Sequence, residues 1–341
     1  MSRWADDPEK AAGELIRRSL EAIAPSGRLL LVNQQDRALA HLLSAQGAEV
    51  AEWNRRCGAA APAPWPPAGP FDTVLVRLPK AKDEQEMTVH AALGALHPGG
   101  RLVLYGGNDE GIRSAASRLG GLCGEVQTVA ARGHGRVVAA LRPAEIAALK
   151  PSLAAWRAVG TLTFAGAPHR WVSYPGLFAA GRLDEGTELL ISALPCLEGG
   201  ARVLDFGCGS GVIGAAVLAA SPGIVLDMLD EDTVALEAAR ENVPAARLIL
   251  GQALRDTGDR LYAAILSNPP LHRGIAETHD SLERLIAEAP AHLRPGGHLQ
   301  IVVQRRVPLD SLLSAHLGNV AIVAENGRYR VWRATVTSPE R

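Results

Sequence analysis

Val203-Leu204-Asp205-Phe206-Gly207-Cys208-Gly209-Ser210-Gly211-Val212-Ile213-Gly214 passes from a short apolar run, through glycines at alternate positions, into a second apolar run. The first four residues read as a buried strand and the last as the opening of a helix, so the stretch spells strand, tight turn, helix. Glycines at 207, 209 and 211 let the backbone take φ > 0 and let a ligand approach it closely. The helix start adds N–H groups that have no partner within the helix. Such a segment is a ligand cradle of doubly wound α/β folds, and Gly207, Cys208, Gly209 and Gly211 form its wall.

Working outward, Gly209 to Gly214 also spell G-x-G-x-x-G, the signature of a dinucleotide site. Asp205 argues for a different ligand. An acid directly ahead of the glycines opposes a pyrophosphate and suits a sulfonium amino acid with a free ammonium group. Ile224 to Asp230 reads as the next strand; Asp230 at its end, followed by Glu231, offers acceptors to the two hydroxyls of a ribose. Asp230, Glu231 and Asp232 serve equally well as caps for a helix starting near Val234. Gln252 follows the strand Arg247 to Leu250, where an adenine could be hydrogen-bonded. Further on, Ile265-Leu266-Ser267-Asn268-Pro269-Pro270 is a buried strand that ends at the C-terminal edge of the sheet, beside the cradle.

The same order of signals occurs earlier in the chain. Gly27-Arg28-Leu29-Leu30-Leu31-Val32 matches Ala201-Arg202-Val203-Leu204-Asp205-Phe206, and Val74-Leu75-Val76-Arg77-Leu78-Pro79 matches the strand ending in Asn-Pro-Pro. Leu96-His97-Pro98-Gly99-Gly100-Arg101-Leu102 matches Leu293-Arg294-Pro295-Gly296-Gly297-His298-Leu299, with Pro-Gly-Gly stopping a helix and launching a strand. Each half closes on two β-rich runs across a glycine turn, Gly133-His134-Gly135 and Asn326-Gly327. The expected fold is α/β: two tandem Rossmann-like domains, each a mostly parallel doubly wound sheet with an antiparallel C-terminal hairpin at or near its edge. Residues 1–150 form the first domain and 170–341 the second, with the joint near 143 to 173, where periodicity lapses. Ala61 to Pro70 is a loop inside the first domain.

Composition sets outer bounds. The chain has 341 residues, 47% of them hydrophobic and 21% charged, which suits two globular domains. No apolar run approaches the roughly 18 residues of a membrane span, and the acid-bearing N-terminus lacks a secretory pattern, so cytoplasm is expected and no membrane. Cys57, Cys123, Cys196 and Cys208 form no C-x-x-C pair, so neither a zinc site nor a disulfide framework is expected. The net charge of −1 gives no global attraction to nucleic acid. Local arginine groups (Arg55 and Arg56; Arg305 and Arg306; Arg328, Arg330 and Arg333) suit phosphate contacts or simply solvated surface.

Asp205-x-Gly-x-Gly-x-Gly followed by Asn268-Pro269-Pro270 resembles the class I methyltransferases that act on planar amines, and over both halves the chain resembles ribosomal RNA guanine-N2 methyltransferases of the RsmC/RlmG type. Pro175-Gly176-Leu177-Phe178, Leu183-Asp184-Glu185-Gly186-Thr187 and Gly107-Asn108-Asp109-Glu110-Gly111-Ile112-Arg113-Ser114 share in the resemblance. It implies S-adenosyl-L-methionine as cofactor, no metal, and methyl transfer to guanine N2 of ribosomal RNA in the small subunit. Asn268 and the Pro269 carbonyl would accept hydrogen bonds from the target amine, with Pro270 stiffening the turn and Leu271 lining the base pocket. Asn268 also borders the cofactor, and the segment with Asp184 and Thr187 lies near it in relatives, although a helix N-cap accounts for those two as well. One departure concerns Leu271, where the family usually has an aromatic that stacks on the base. The first half implies a degenerate copy without cofactor: Asn33-Gln34-Gln35-Asp36 replaces the cradle and Arg77-Leu78-Pro79-Lys80 replaces Asn-Pro-Pro. Lys80, Lys82 and Arg113 are its candidate phosphate contacts. The expected partner is ribosomal RNA or a ribosomal subunit, and a monomer is favoured. Alternatives are another planar amine (adenine N6, cytosine N4, a protein glutamine), an RNA-binding protein that has lost catalysis, or an NAD-linked oxidoreductase.

Overall fold

The computed structural model describes residues 7–35, 37–58, 60–269 and 275–336, and not the side chains of 180 and 275–279. The chain divides into two compact units between Arg157 and Ala158.

In the first unit α1 (Pro8–Ile23) precedes β1 (Arg28–Val32), α2 (Ala38–Ala45), β2 (Glu49–Trp53), β3 (Phe71–Arg77), α3 (Lys82–Ala95), β4 (Leu96–Gly107), α4 (Ile112–Cys123), β5 (Gln127–Arg132) and β6 (Gly135–Leu141). Its sheet runs β2-β1-β3-β4-β6-β5. The first four strands are parallel; β6 runs antiparallel between β4 and β5. Strands β1 and β3 are buried along almost their whole length because helices cover both faces of a parallel sheet. Accordingly Leu30, Val32, Val74 and Val76 pack in one core cluster and Leu29, Leu31 and Leu75 in another, alternating along the strands.

The second unit opens with a two-stranded ribbon, β7 (Ala158–Phe164) and β8 (Ala167–Ser173), then α5 (Glu185–Ser192), β9 (Arg202–Phe206), α6 (Val212–Ala220), β10 (Val225–Asp230), α7 (Thr233–Asn242) and β11 (Arg247–Leu250). It continues through β12 (Tyr262–Ser267), α8 (Ile275–His292), β13 (Leu293–Gln304), α9 (Asp310–His316), β14 (Gly318–Glu325) and β15 (Tyr329–Thr335). The sheet order is β11-β10-β9-β12-β13-β15-β14. Apart from the extra edge strand β11, this repeats the first unit strand for strand. The closing hairpin places β15 inside the sheet, against β13, and leaves β14 at the edge.

The likeness extends to an irregularity. Phe71 pairs with Leu96 and Thr73 with Arg101, while Tyr262 pairs with Leu293 and Ala264 with His298, so in both units two residues on one strand span five on the next. The Pro-Gly-Gly turns lie inside this bulge, within β4 and β13, rather than ahead of the strand. The second glycine of each is required by crowding: a Cβ would meet His97 O at 2.9 Å from Gly100, and both Arg294 O and Tyr262 O at 2.8 Å from Gly297. One boundary needs correction. The division falls within the stretch 143 to 173 expected for the joint, but the start expected at 170 cuts into the ribbon β7–β8, which belongs to the second unit from Ala158 onward.

Candidate active site

The cradle forms at the C-terminal end of β9 as the sequence requires. Gly207, Gly209 and Gly211 have φ of 71°, 54° and 92°, and at the first two a Cβ would meet nothing within 4 Å, so backbone conformation rather than crowding selects glycine. The turn is tied to β10: the N–H groups of Gly207 and Cys208 both donate to Leu229 O (2.8 and 3.0 Å), and Gly209 N–H donates to Asp230 Oδ2 (2.8 Å). Cys208 points into the core, where burial pushes its thiol well above the usual range.

Asp205 is wholly buried. Its Oδ2 accepts from Gly214 N–H at 2.9 Å, and its Oδ1 has no hydrogen-bond partner. Burial drives its pKa up to about 7; the bond from Gly214 works the other way, and the neighbouring charge of Asp230 adds to the rise. An unsatisfied buried carboxylate oxygen is costly unless a cation or donor completes it. Gly214, third glycine of G-x-G-x-x-G, is what admits the helix: a Cβ there would stand 2.6 Å from Met228 Sδ. Asp230 is half-buried, and burial followed by the charge of Asp232 raises its pKa to about 6. Its Oδ1 accepts from Asp232 N–H at 2.9 Å. The three successive acids have separate places: Asp232 is the N-cap of α7 through Val234 N–H, Asp230 supports the turn, and Glu231 stands between them.

Asn268 directly follows β12, and its amide is oriented. Nδ2 donates to Thr187 Oγ1 at 2.8 Å and to Asp184 Oδ2 at 3.1 Å. A carboxylate only accepts, so the amide face toward Asp184 must be the NH₂ and the carbonyl oxygen is turned away from it. Asp184 is also the N-cap of α5, its Oδ2 accepting from Thr187 N–H at 3.0 Å. Ser267 Oγ donates to Phe206 O at 2.9 Å, locking the strand end that carries Asn268 to the strand end that carries the cradle.

The chain matches the family model described as Methyltransferase small domain over residues 169–333, and that described as Methyltransferase small domain N-terminal over 13–137. Ribosomal RNA small subunit methyltransferase C of Shewanella amazonensis is 33% identical over 338 residues, covering 94% of this chain and 97% of the relative. The chain belongs to the ribosomal RNA small subunit methyltransferase C family. The family's Stutzerimonas stutzeri member is 37% identical over 273 residues, 79% of this chain and 80% of that one. Among solved structures, the 16S rRNA N2 methyltransferase RsmC of T. thermophilus, in complex with AdoMet and guanosine, aligns with a TM-score of 0.83 at 23% identity. The alignment spans 98% of this chain and 93% of that one, and shows that the two share a fold.

Within this methyltransferase the structure brings Asp205, Gly207, Cys208, Gly209, Gly211, Asp230 and Asn268 to one end of the second sheet. Pro269 is buried beside them; Pro270 and Leu271 lie outside the described residues. Gln252 is exposed just past β11, where Gly251 N–H donates to Asp230 O at 3.0 Å. Sequence reasoning gave the oxygen of Asn268 a task but found nothing to aim it; Asp184 and Thr187 do so from more than eighty residues away.

The arginine groups differ in what holds them. Arg55 is buried, Arg56 is held bidentately by Glu84, Arg305 and Arg330 pair with Glu325, Arg328 pairs with Glu185, and Arg333 donates to Gln300 and Ala193 O. Only Arg306 of these groups is exposed without such a pairing among the described residues.

In the first unit, register counted from the matched bulges sets Arg77 at the position of Asn268. Its buried guanidinium donates to Glu110 (2.6 and 2.9 Å) and to Glu9 on α1 (2.8 and 3.2 Å). Burial works against this charge, but the two carboxylates outweigh it and hold the pKa above the ordinary guanidinium value.

Proposed function

We propose that this protein transfers a methyl group from S-adenosyl-L-methionine to the exocyclic N2 amine of a guanine in small-subunit ribosomal RNA. One observation carries the reading: Asn268 presents an amide whose NH₂ is held by Asp184 and Thr187, leaving its oxygen to accept from a substrate, at the same sheet end as the unsatisfied Oδ1 of Asp205. An exocyclic amine delocalises its lone pair into the ring. Acceptors that hold both N–H bonds favour a pyramidal, nucleophilic nitrogen. Asn268 Oδ1 and the Pro269 carbonyl supply them, and the two prolines keep that carbonyl rigid.

The donor fits the residues present: Asp205 Oδ1 suits an ammonium, Asp230 keeps lone pairs for ribose hydroxyls, and the open side of Gly207 and Gly209 admits a ligand against the backbone. Glu231 and Gln252 flank it at the ends of the next two strands. When bound, the sulfonium supplies an activated methyl, so the protein's task is to position the amine for in-line attack. The base must leave its stack to reach Asn268. Of the described Phe, Tyr and Trp residues in the second unit only Phe178 is exposed, and it stands six residues ahead of Asp184. We assign it the stacking surface that Leu271 does not provide.

The test is incorporation of labelled methyl into small-subunit RNA lacking the modification, with mass spectrometry of the digested nucleosides. N2-methylguanosine is expected; methyl on adenine or cytosine, or no incorporation, overturns the reading. Phe178→Ala should raise KM for RNA about tenfold with KM for the donor unchanged, as read from paired saturation curves.

A further inference from the structure

The glycine turn is gripped from two sides. From within the sheet it is held by Leu229 O and Asp230, as described above. On its other side stand groups that no part of the cradle motif includes. Asn242, the last residue of α7, donates through Nδ2 to Ser210 O (3.0 Å) and to Val172 O (2.9 Å), and accepts through Oδ1 from Val172 N–H (2.8 Å). Trp171 Nε1, on the same strand as Val172, donates to Ser210 Oγ (3.1 Å). Ser210 is the single residue between Gly209 and Gly211, and so the only point between them that a side chain can hold.

The amide of Asn242 thereby does for β8 what a neighbouring strand would do, pairing both backbone groups of Val172 on the edge away from β7, and spends its remaining donor on the cradle. Trp171 is 3% exposed and packs in the core cluster that also contains Cys208 and Ile213, and its ring meets Phe164 edge-on at 5.5 Å. Its indole N–H is therefore fixed in direction. A turn containing three glycines has little conformational preference of its own, and a ligand that needs it in one shape must bear the cost of ordering it.

We infer that Asn242 and Trp171 are positioning residues for the cofactor, and that the ribbon β7–β8 is a brace that holds the Gly209–Gly211 turn in its binding shape through Ser210. The inference rests on the functional reading above. It places the ribbon, which lies outside the seven-stranded sheet, inside the cofactor site's machinery.

Three variants of the full chain separate this from a role in folding alone. Asn242→Asp keeps the volume but sets a carboxylate against the carbonyls of Ser210 and Val172; Ser210→Ala removes only the indole–hydroxyl bond, and Trp171→Phe removes that bond together with part of a buried ring. Kd for S-adenosyl-L-methionine is measured by calorimetry on protein whose folded fraction is fixed by the binding stoichiometry, alongside kcat and both KM values. The expected result is a Kd raised about tenfold in Asn242→Asp and about threefold to fivefold in the other two, with kcat at saturating donor and KM for RNA within twofold of the unmodified chain. Trp171→Phe combined with Ser210→Ala should lose no more than Trp171→Phe alone, and Ser210→Thr, which keeps a hydroxyl, should keep affinity. Unchanged Kd in folded Trp171→Phe and Ser210→Ala, or an equal rise in KM for RNA, overturns the inference, and these two variants decide it should Asn242→Asp not fold. No binding by the unmodified chain would instead bring down the functional reading, and the inference with it.

Discussion

Keeping a carboxylate at Asp205 works against folding. Its pKa of about 7 lies above the value near 4 of an unfolded aspartate, so the residue's contribution to stability is greatest at low pH and is lost as pH rises through about 7. Asp205→Asn should therefore raise the melting temperature of the ligand-free protein at pH 8, by about 3 °C or more, and by less at pH 5, while weakening donor binding. A stabilised variant that still binds would show that Oδ1 has no ligand. By the same linkage, an ammonium beside Oδ1 favours the ionised form. Donor affinity in the unmodified protein should then fall as pH drops from 8 to 6, with protons released on binding, which calorimetry in buffers of different ionisation enthalpy measures. At Asn268 the expectation is kinetic: Asn268→Ala lowers kcat about 100-fold or more. Asp184→Ala removes the acceptor that orients the amide and the α5 cap together, and should lower kcat about tenfold and cost about 1 kcal/mol of stability. Asp184→Asn can keep both bonds with its single oxygen and should keep most of the activity. Equal loss in the two Asp184 variants would count against the orienting role.

At the scale of elements, α6 approaches β9 and β10 as closely as it does because Gly214 has no side chain. Gly214→Ala places a methyl 2.6 Å from Met228 Sδ and 3.1 Å from Leu226 Cδ2, and should cost about 1–3 kcal/mol in a denaturant melt; a neutral result would mean that the helix can move without loss. The elements themselves were largely legible. Strand, cradle and helix over 203–214, the strand ending at Asn268 and both closing hairpins follow from apolar period and turn chemistry. The ribbon β7–β8 was not: it buries only Leu162 and Phe164 along β7 and Trp171 and Val172 along β8, too few for an alternating pattern, and its Gly166 and Pro168 read as a linker. Nor could local pattern disclose which arginines pair with carboxylates of the same chain or what aims Asn268. Apart from Glu325 beside Arg330, those partners come from 20 to more than 100 residues away along the chain. Side-chain hydrogen bonds of that range leave no periodic trace.

Over the whole molecule, one architecture occurs twice, with the cradle glycines and Asn-Pro-Pro in the second copy alone. Lys80, Lys82 and Arg113 remain exposed at the strand ends of the first unit, and we propose that they hold RNA phosphates. Lys80→Ala with Lys82→Ala should weaken RNA binding about tenfold, reduce the slope of log affinity against log salt by about two, and leave donor affinity alone; unchanged RNA affinity rejects the role. Arg77 has a further consequence. Were an amide restored there, Glu110 would be left as an unpaired buried anion, a loss of about 3–5 kcal/mol with no chemistry regained, since the glycines are also missing. Building a second amide site at this position thus demands several coordinated exchanges, the one at Arg77 harmful by itself. We propose that this half descends from a catalytic copy and that electrostatics acts as a ratchet on that descent: with the guanidinium seated between its counterions, drift can remodel the surface around it but not return it to catalysis one step at a time.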